Sequence, residues 1–235
     1  MNITFSKKET IAAITFGWQT VKRNFWFFVG LLIIAGVAMY ASTIIIALEI
    51  IENPIFLFMI NLIGWILSIT AILGLIKISL NFRDNLKSKI SDLFFQYRLF
   101  FRYVFASILY FLIYLLGMVP LGMVVFILNE FYLGIIFRAL FLILGIVPLI
   151  YLGIRFLFFG YFIVDQKAGV IESLRKSWKI TERNVWNLFL FFLALFGLHF
   201  LGALFLLIGL FITVPTSLLA VAHVYRKLSS TAKDS

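Results

Sequence analysis

Long stretches almost without charge limit what this chain can fold into more than any other feature of its sequence. They cover residues 25–47, 55–76, 104–129, 131–153 and 185–225. A helix that crosses a hydrocarbon core of about 30 Å needs roughly 20 mostly apolar residues, so each stretch is long enough to span a membrane. The last would measure about 60 Å as one helix. We expect it to fold back near Gly202, Gly209 or Pro215, which predicts six spans, with a shallower re-entrant hairpin as the alternative.

The amino-acid composition also indicates a membrane protein. Hydrophobic residues make up 63% of the 235 residues and charged residues 13%, against roughly 45–50% and about 25% in soluble domains. A soluble fold of this length has too little interior to bury so much apolar surface. The chain has no cysteine, which excludes disulfide frameworks, thiolate metal sites and cysteine nucleophiles.

The distribution of lysine and arginine predicts the topology. These residues concentrate at 7–23, 77–102, 167–183 and 226–233, whereas Glu49, Glu52 and Glu130 occupy connections with almost no positive charge. Because basic loops stay on the cytoplasmic side, we expect both termini in the cytoplasm. The stretch 25–47 is far longer than the apolar region of a signal peptide and is interpreted as the first span.

The chain contains three copies of one pattern, shifted by 79 and 81 residues. The aligned positions are Ile11, Ile14, Trp18, Val21 and Arg23; Ile90, Leu93, Tyr97, Phe100 and Arg102; and Ile171, Leu174, Trp178, Thr181 and Arg183. Each copy precedes two apolar stretches. We therefore predict an all-α, polytopic membrane helical bundle with about six transmembrane helices. It forms one integral membrane domain, residues 1–235, with repeat units at roughly 6–80, 85–165 and 166–228.

Within each copy the apolar positions recur every three or four residues, which is typical of an amphipathic helix. We expect three such helices in the membrane plane, leading into spans near Phe25, Val104 and Val185. The alternative is that they face water and pack beneath the bundle. Ser6 and Glu9 have the spacing of a capping box at the start of the first helix.

The basic residues beside these helices are the candidate binding residues. The net charge is +10, but each basic cluster adjoins a span, so anionic phospholipid headgroups are the expected partner and nucleic acid is not. No residues are assigned to catalysis, to a cofactor or to a metal. The two histidines have no acidic companions, and a metal site would need more ligands. The candidates for headgroup binding are Arg23, Arg102, Arg155, Arg175, Lys176, Lys179 and Arg183.

Arg155 has two interpretations. The register of the repeat places it at the cytoplasmic end of its span, with residues 156–164 continuing along or just below the interface. If the span instead continued to Val164, Arg155 would lie inside the bilayer and would need a partner such as Asp165.

The stretch YFIVDQKAGVIESLRKSWKITERNVWNLFLFF from Tyr161, together with the final hairpin, resembles a group of bacterial integral-membrane proteins. These are similar to the membrane domain of glycerophosphoryl diester phosphodiesterases. The resemblance covers most of the chain, and SLRKSWKITERNVW is its distinctive part. It implies a membrane module in the bacterial cytoplasmic membrane without the soluble catalytic domain, and it supplies no active-site residues.

The leading hypothesis is a non-enzymatic membrane protein that scaffolds or anchors other components, or associates with envelope lipids, through its basic cytoplasmic face. Protein partners or self-association fit that role. The alternative is a transporter or permease component for a neutral or lipidic substrate, which repeats and glycine-containing spans allow. An intramembrane enzyme ranks third, because the spans lack a pair of titratable groups.

Overall fold

The computed structural model describes residues 5–48, 53–130, 135–204 and 208–231. These residues form helices and short turns, and no strand occurs among them. The α-helices are α1 (Lys7–Arg23), α2 (Phe25–Ala47), α3 (Pro54–Arg83), α4 (Phe100–Glu130), α5 (Ile135–Arg155), α6 (Phe159–Gln166), α7 (Val170–Thr181), α8 (Val185–Leu204) and α9 (Leu210–Thr231). Two short 3-10 turns lie at Ile90–Leu93 and Tyr97–Leu99.

The structure confirms an all-helical, polytopic bundle. Within the described ranges, five helical segments are long and apolar enough to cross a membrane, where the sequence predicted six spans. The second helix of the final hairpin, α9, does not reach that apolarity. It carries Thr213, Thr216 and Ser217, which are buried against other helices. Residues inside a bundle do not face lipid, so a buried helix can be less apolar than one that meets the hydrocarbon.

The helix ends follow local sequence signals. The amide of Ser6 donates to the Glu9 carboxylate over 2.8 Å, as the predicted capping box requires. Asn53 accepts a hydrogen bond from the amide of Ile55, and Pro54 occupies the first position of α3. The first helices of the three hairpins, α2, α4 and α8, begin at Phe25, Phe100 and Val185. Helix α4 therefore starts four residues before the predicted Val104.

Each hairpin is preceded by an entry segment, namely α1, residues 90–99 and α7. The first and third are α-helices, whereas the second forms the two 3-10 turns. The prediction of three amphipathic helices is therefore wrong for the second copy. The second segment adopts this fold because it packs closely on α3. The backbone of Leu93 lies so close to Gly74 that a Cβ atom at position 74 would overlap it.

Every entry segment packs against the hairpin of the unit before it, and the first packs against the last. The segment α1 lies along α9, closest at Gly17, where a Cβ would overlap the α9 backbone. The 3-10 turns pack on α2 and α3, and α7 packs on α4, α5 and α6. Successive hairpins also contact each other, through α3 and α4 and through α5 and α8. The last hairpin contacts the first, through α9 on α2 and α3. The three units thus close into a ring.

The short helix α6 forms part of the core. Residues 161–164 are at most 6% exposed, and the ring of Tyr161 lies 5.2 Å from that of Tyr225 in α9. Because α6 contacts α3, α4 and α7, it is enclosed by protein. That residues 156–164 run along or just below the membrane interface stays a prediction.

Candidate headgroup groove and the basic end of the bundle

The C-terminus of α3 is shaped by a Schellman motif. Asn85 adopts a left-handed conformation with φ of 57°, and its amide donates to the carbonyl oxygen of Phe82 over 3.3 Å. The amide of Leu86 donates to the carbonyl oxygen of Asn81 over 2.8 Å. Asparagine is among the few non-glycine residues that tolerate this conformation. The motif turns the chain sharply, so the next residues fold back beside α3.

This turn closes one side of a groove of about 580 Å³. The other sides are the C-terminal half of α1 and the first turn of α2. The lining residues are Phe16, Gln19, Thr20, Arg23, Asn24, Phe27, Phe82, Asn85, Leu86, Lys87, Ser88 and Lys89. We call this space the α1–α3 groove.

The α1–α3 groove carries net positive charge. Arg23, Lys87 and Lys89 line it and are exposed, and no acidic residue lines it. The two nearby carboxylates have partners: Asp84 binds Arg226, and Asp92 accepts a hydrogen bond from the Lys89 amide over 2.9 Å. The residues that line the groove therefore create a positive potential that favours an anionic ligand.

One wall of the groove is aromatic. The rings of Phe27 and Phe82 lie 5.3 Å apart, and Phe16 completes the apolar surface. Behind it, the guanidinium of Arg83 lies 5.6 Å from the Phe16 ring. Asn24, Gln19 and the groove's hydroxyl groups supply hydrogen-bonding atoms beside the cations. Cations, amides and an apolar wall are the groups that a phospholipid headgroup and its glycerol region would contact.

The predicted headgroup residues of α7 have different surroundings. Arg175 and Lys179 are exposed. Lys176 forms an ion pair with Glu172 at 2.6 Å and donates to the side-chain oxygen of Gln166 at 2.8 Å. The positive charge beside Glu172 and the hydrogen bond from the Gly169 amide lower the pKa of the Glu172 carboxyl group. Lys176 is thus partly neutralised before any headgroup arrives.

Arg183 and Arg102 are also exposed. Arg102 donates to the carbonyl oxygen of Lys167 over 2.6 Å, at the C-terminal end of α6. Carbonyl groups at a helix C-terminus lack partners within the helix, so this arginine stabilises that end. The structure does not bring Arg102 to the α1–α3 groove.

Unlike the other predicted headgroup residues, Arg155 is buried. The structure places Arg155 at the end of α5, but only 2% of the residue is exposed. Its guanidinium lies 3.8 Å from the centroid of the Trp178 ring and 5.6 Å from that of Tyr151. Asp165, the partner expected for a buried Arg155, instead accepts hydrogen bonds from Tyr225 and Arg226. The expectation that Arg155 is exposed is therefore wrong, whereas its binding to a headgroup stays a prediction.

Sequence reasoning missed the lysines of the groove. Lys87 and Lys89 counted only as evidence for topology, because nothing in the pattern brings residues near 87 to Arg23. The signal available was the helix-end motif at residues 81–86, which predicts a sharp turn. The structure places no group of three or more potential metal-ligating side chains together in its described portion.

The helices, the ring of three units and the groove define a polytopic membrane protein with a basic groove at one end of its bundle. The chain belongs to the family described as Domain of unknown function (DUF7847), which matches residues 9–232. Neither the curated proteins nor the solved structures contain a match. The family match is consistent with an uncharacterised family and provides no link to the membrane domain of glycerophosphoryl diester phosphodiesterases.

Proposed function

We propose that this protein is a non-enzymatic module of the bacterial cytoplasmic membrane that binds anionic phospholipid headgroups in the α1–α3 groove. Binding there would anchor or organise envelope components at the basic face. The observation that supports this most is the groove's combination of three exposed cations, no lining acid and an aromatic wall. A phospholipid phosphate would meet Arg23, Lys87 and Lys89, and its apolar part would contact Phe27 and Phe82.

The proposal includes an orientation. Both termini face the cytoplasm, so the groove lies against the inner leaflet, where anionic lipids attract basic residues. In this arrangement α9 crosses the membrane as the sixth span. A reporter fused to the C-terminus should be active only when its enzyme works in the cytoplasm. Activity of an exported reporter at that position would contradict both the orientation and the sixth span.

Lipid binding can be tested with the double variant Lys87→Gln, Lys89→Gln. Each basic residue near an anionic surface contributes about 1 kcal/mol, so removing two should weaken binding about 10- to 30-fold at low salt. The measurement is the affinity of the purified protein, in nanodiscs of neutral lipid, for added phosphatidylglycerol. The difference from wild type should shrink as salt is added, because screening weakens electrostatic attraction.

The matched control is Lys7→Gln, Lys8→Gln. These lysines are exposed on the first turn of α1 and do not line the groove, yet their loss changes the net charge equally. The control should retain most of the affinity. Equal weakening by both double variants would mean that total charge, and not the groove, attracts the lipid, and the proposed site would be rejected.

A second candidate is movement of a lipidic substrate, and one observation favours it. A crevice of about 310 Å³ opens between α3 and α4. Its lining residues are Trp65, Ile69, Tyr103, Val104, Ser107, Ile108 and Phe111. The crevice is apolar apart from two hydroxyl groups and the Trp65 ring nitrogen, and it could accept an acyl chain. Transfer of fluorescent phospholipids between the leaflets of reconstituted vesicles, abolished by Ser107→Trp, would support transport. No acceleration over empty vesicles would reject it.

A further inference from the structure

In the part of the chain that the structure describes, no ion pair involves the buried side chain of Arg155. Its Nε is buried and has no hydrogen-bond partner there. Asp165 and Glu172 have their own cationic partners, Arg226 and Lys176. A guanidinium is always charged at physiological pH and carries five N–H donors. Burying it without an anion is costly, and such charges are otherwise paired.

The aromatic contacts satisfy only part of this group. Trp178 lies over the face of the guanidinium, at 3.8 Å, and a cation over a ring is stabilised by the ring's electron density. The N–H donors, however, point outward in the guanidinium plane and need acceptors there. The carbonyl groups at the end of α5 favour a cation, but only through partial charges. The buried Nε–H group therefore still lacks an acceptor among the described residues.

The neighbouring hydroxyl groups are bonded to the backbone, and the described contacts show neither accepting a hydrogen bond from the guanidinium. Ser177 donates to the carbonyl oxygen of Arg155 over 2.9 Å and accepts from the amide of Phe158 over 3.0 Å. Thr181 donates to backbone carbonyl groups, including that of Arg155 at 3.2 Å. These bonds hold the end of α5 against α7, so the backbone of Arg155 is not free to carry the side chain to water.

We propose that Arg155 is the anchor of a second anion site, separate from the α1–α3 groove, which binds a phosphoryl group edge-on to the guanidinium. Two phosphate oxygens match the paired donors of arginine. Tyr151, one turn earlier on α5, is 41% exposed and makes an edge contact with Trp178. The Tyr151 ring lies 5.6 Å from the guanidinium, and the proposal requires this half-exposed side chain to rotate away so that the ligand can enter. The phosphoryl group comes from a lipid headgroup at the inner leaflet or from a soluble phosphate.

The experiment compares the thermal unfolding midpoint of wild type with that of Arg155→Gln in phosphatidylcholine nanodiscs. One arm adds inorganic phosphate against a chloride-matched control, and the other replaces part of the lipid with phosphatidic acid. The matched control is Lys8→Gln, an exposed cation on α1 that belongs to neither proposed site. Wild type and Lys8→Gln should be stabilised in at least one arm. Arg155→Gln should bind about tenfold more weakly there or give no shift.

The two arms identify the source of the phosphoryl group. A shift with inorganic phosphate indicates a soluble ligand, and a shift only with phosphatidic acid indicates a headgroup. In the absence of both phosphate and phosphatidic acid, Arg155→Gln should be as stable as wild type, because the variant no longer buries an unpaired charge. Loss of stability that is equal in all conditions would show that Arg155 only packs on Trp178. No shift of wild type in either arm would also overturn the proposal.

If Arg155→Gln does not fold, a second variant, Arg155→Lys, still tests the proposal. Arg155→Lys keeps the charge and loses the planar pair of donors, so the stabilisation by the effective ligand should fall well below that of wild type. Equal stabilisation of the two proteins would overturn the edge-on geometry. The α1–α3 groove variant Lys87→Gln, Lys89→Gln should keep the Arg155-dependent shift, which separates this site from the proposed groove.

Discussion

Arg226 connects the three units at the basic end of the bundle, and its removal should destabilise the fold. From α9 of the third unit it donates to both carboxylate oxygens of Asp84, which follows α3 in the first unit, at 3.0 and 2.5 Å. It also donates to Asp165, at the end of α6, over 2.7 Å. The same Asp165 oxygen accepts from the Tyr225 hydroxyl over 2.9 Å.

The magnitude follows from the burial of these groups. The side chains of Arg226, Asp84 and Asp165 are 27%, 33% and 17% exposed, between a surface pair and a buried one. Exposed pairs contribute about 0–1 kcal/mol, whereas breaking a fully buried pair costs about 3–5 kcal/mol. We therefore expect Arg226→Gln to lower the free energy of unfolding by about 2 kcal/mol. Most of the cost comes from Asp165, which is the least exposed and loses its cation.

The assay is equilibrium unfolding in mixed micelles of mild detergent and dodecyl sulfate, with Arg175→Gln as the control. Arg175 is exposed, so its loss should change stability by less than about 0.5 kcal/mol. Adding Asp165→Asn to Arg226→Gln should cost less than the sum of the single variants, by about 1 kcal/mol. A change below about 0.5 kcal/mol for Arg226→Gln, or strict additivity of the two substitutions, would refute the reasoning.

Three further predictions concern particular positions. Gly17→Leu should destabilise the protein by about 1–3 kcal/mol, because any Cβ overlaps the carbonyl oxygen of Thr216; Ala12→Leu, exposed on the same helix, is the control in the same unfolding assay. Asn85→Gly should keep or slightly raise stability, whereas Asn85→Val should lower both stability and lipid affinity, since a β-branched residue disfavours φ of 57°. The pKa of Glu172 is lowered in the folded state. Its stabilisation of α7 is therefore complete above the unfolded pKa of about 4.3 and is lost as the pH falls through the lower folded value, so thermal midpoints of wild type and Glu172→Gln should converge in acid. Constant separation from neutral to acid pH would contradict this assignment.

Much of the architecture could be predicted from the sequence because it depends on local patterns. Apolar stretches of membrane length predicted where the long helices lie, since a backbone in hydrocarbon must satisfy its own hydrogen bonds. The three aligned copies predicted that hairpins begin near Phe25 and Val185, and both helices start there. The spacing of Ser6 and Glu9 predicted the start of α1, because capping involves residues only three apart.

The contacts between distant segments were decided by the tertiary structure. Gly17 and Ser177 hold the same position in the repeat, and each packs against the backbone of another unit's hairpin, but periodicity does not say which hairpin. The second copy has the same apolar pattern as the others and forms 3-10 turns, because its fit against Gly74 outweighs its helical period.

The candidate sites depend even more on packing between distant residues. Arg23 and Lys87 line one groove only because α1 ends beside the turn after α3. Arg155 lies at the helix end that the repeat predicted, yet it is buried, because Trp178 of the next unit covers it. A sequence pattern records which side of its own helix a residue occupies. Whether that side meets lipid, water or another helix is determined by the packing of the whole chain.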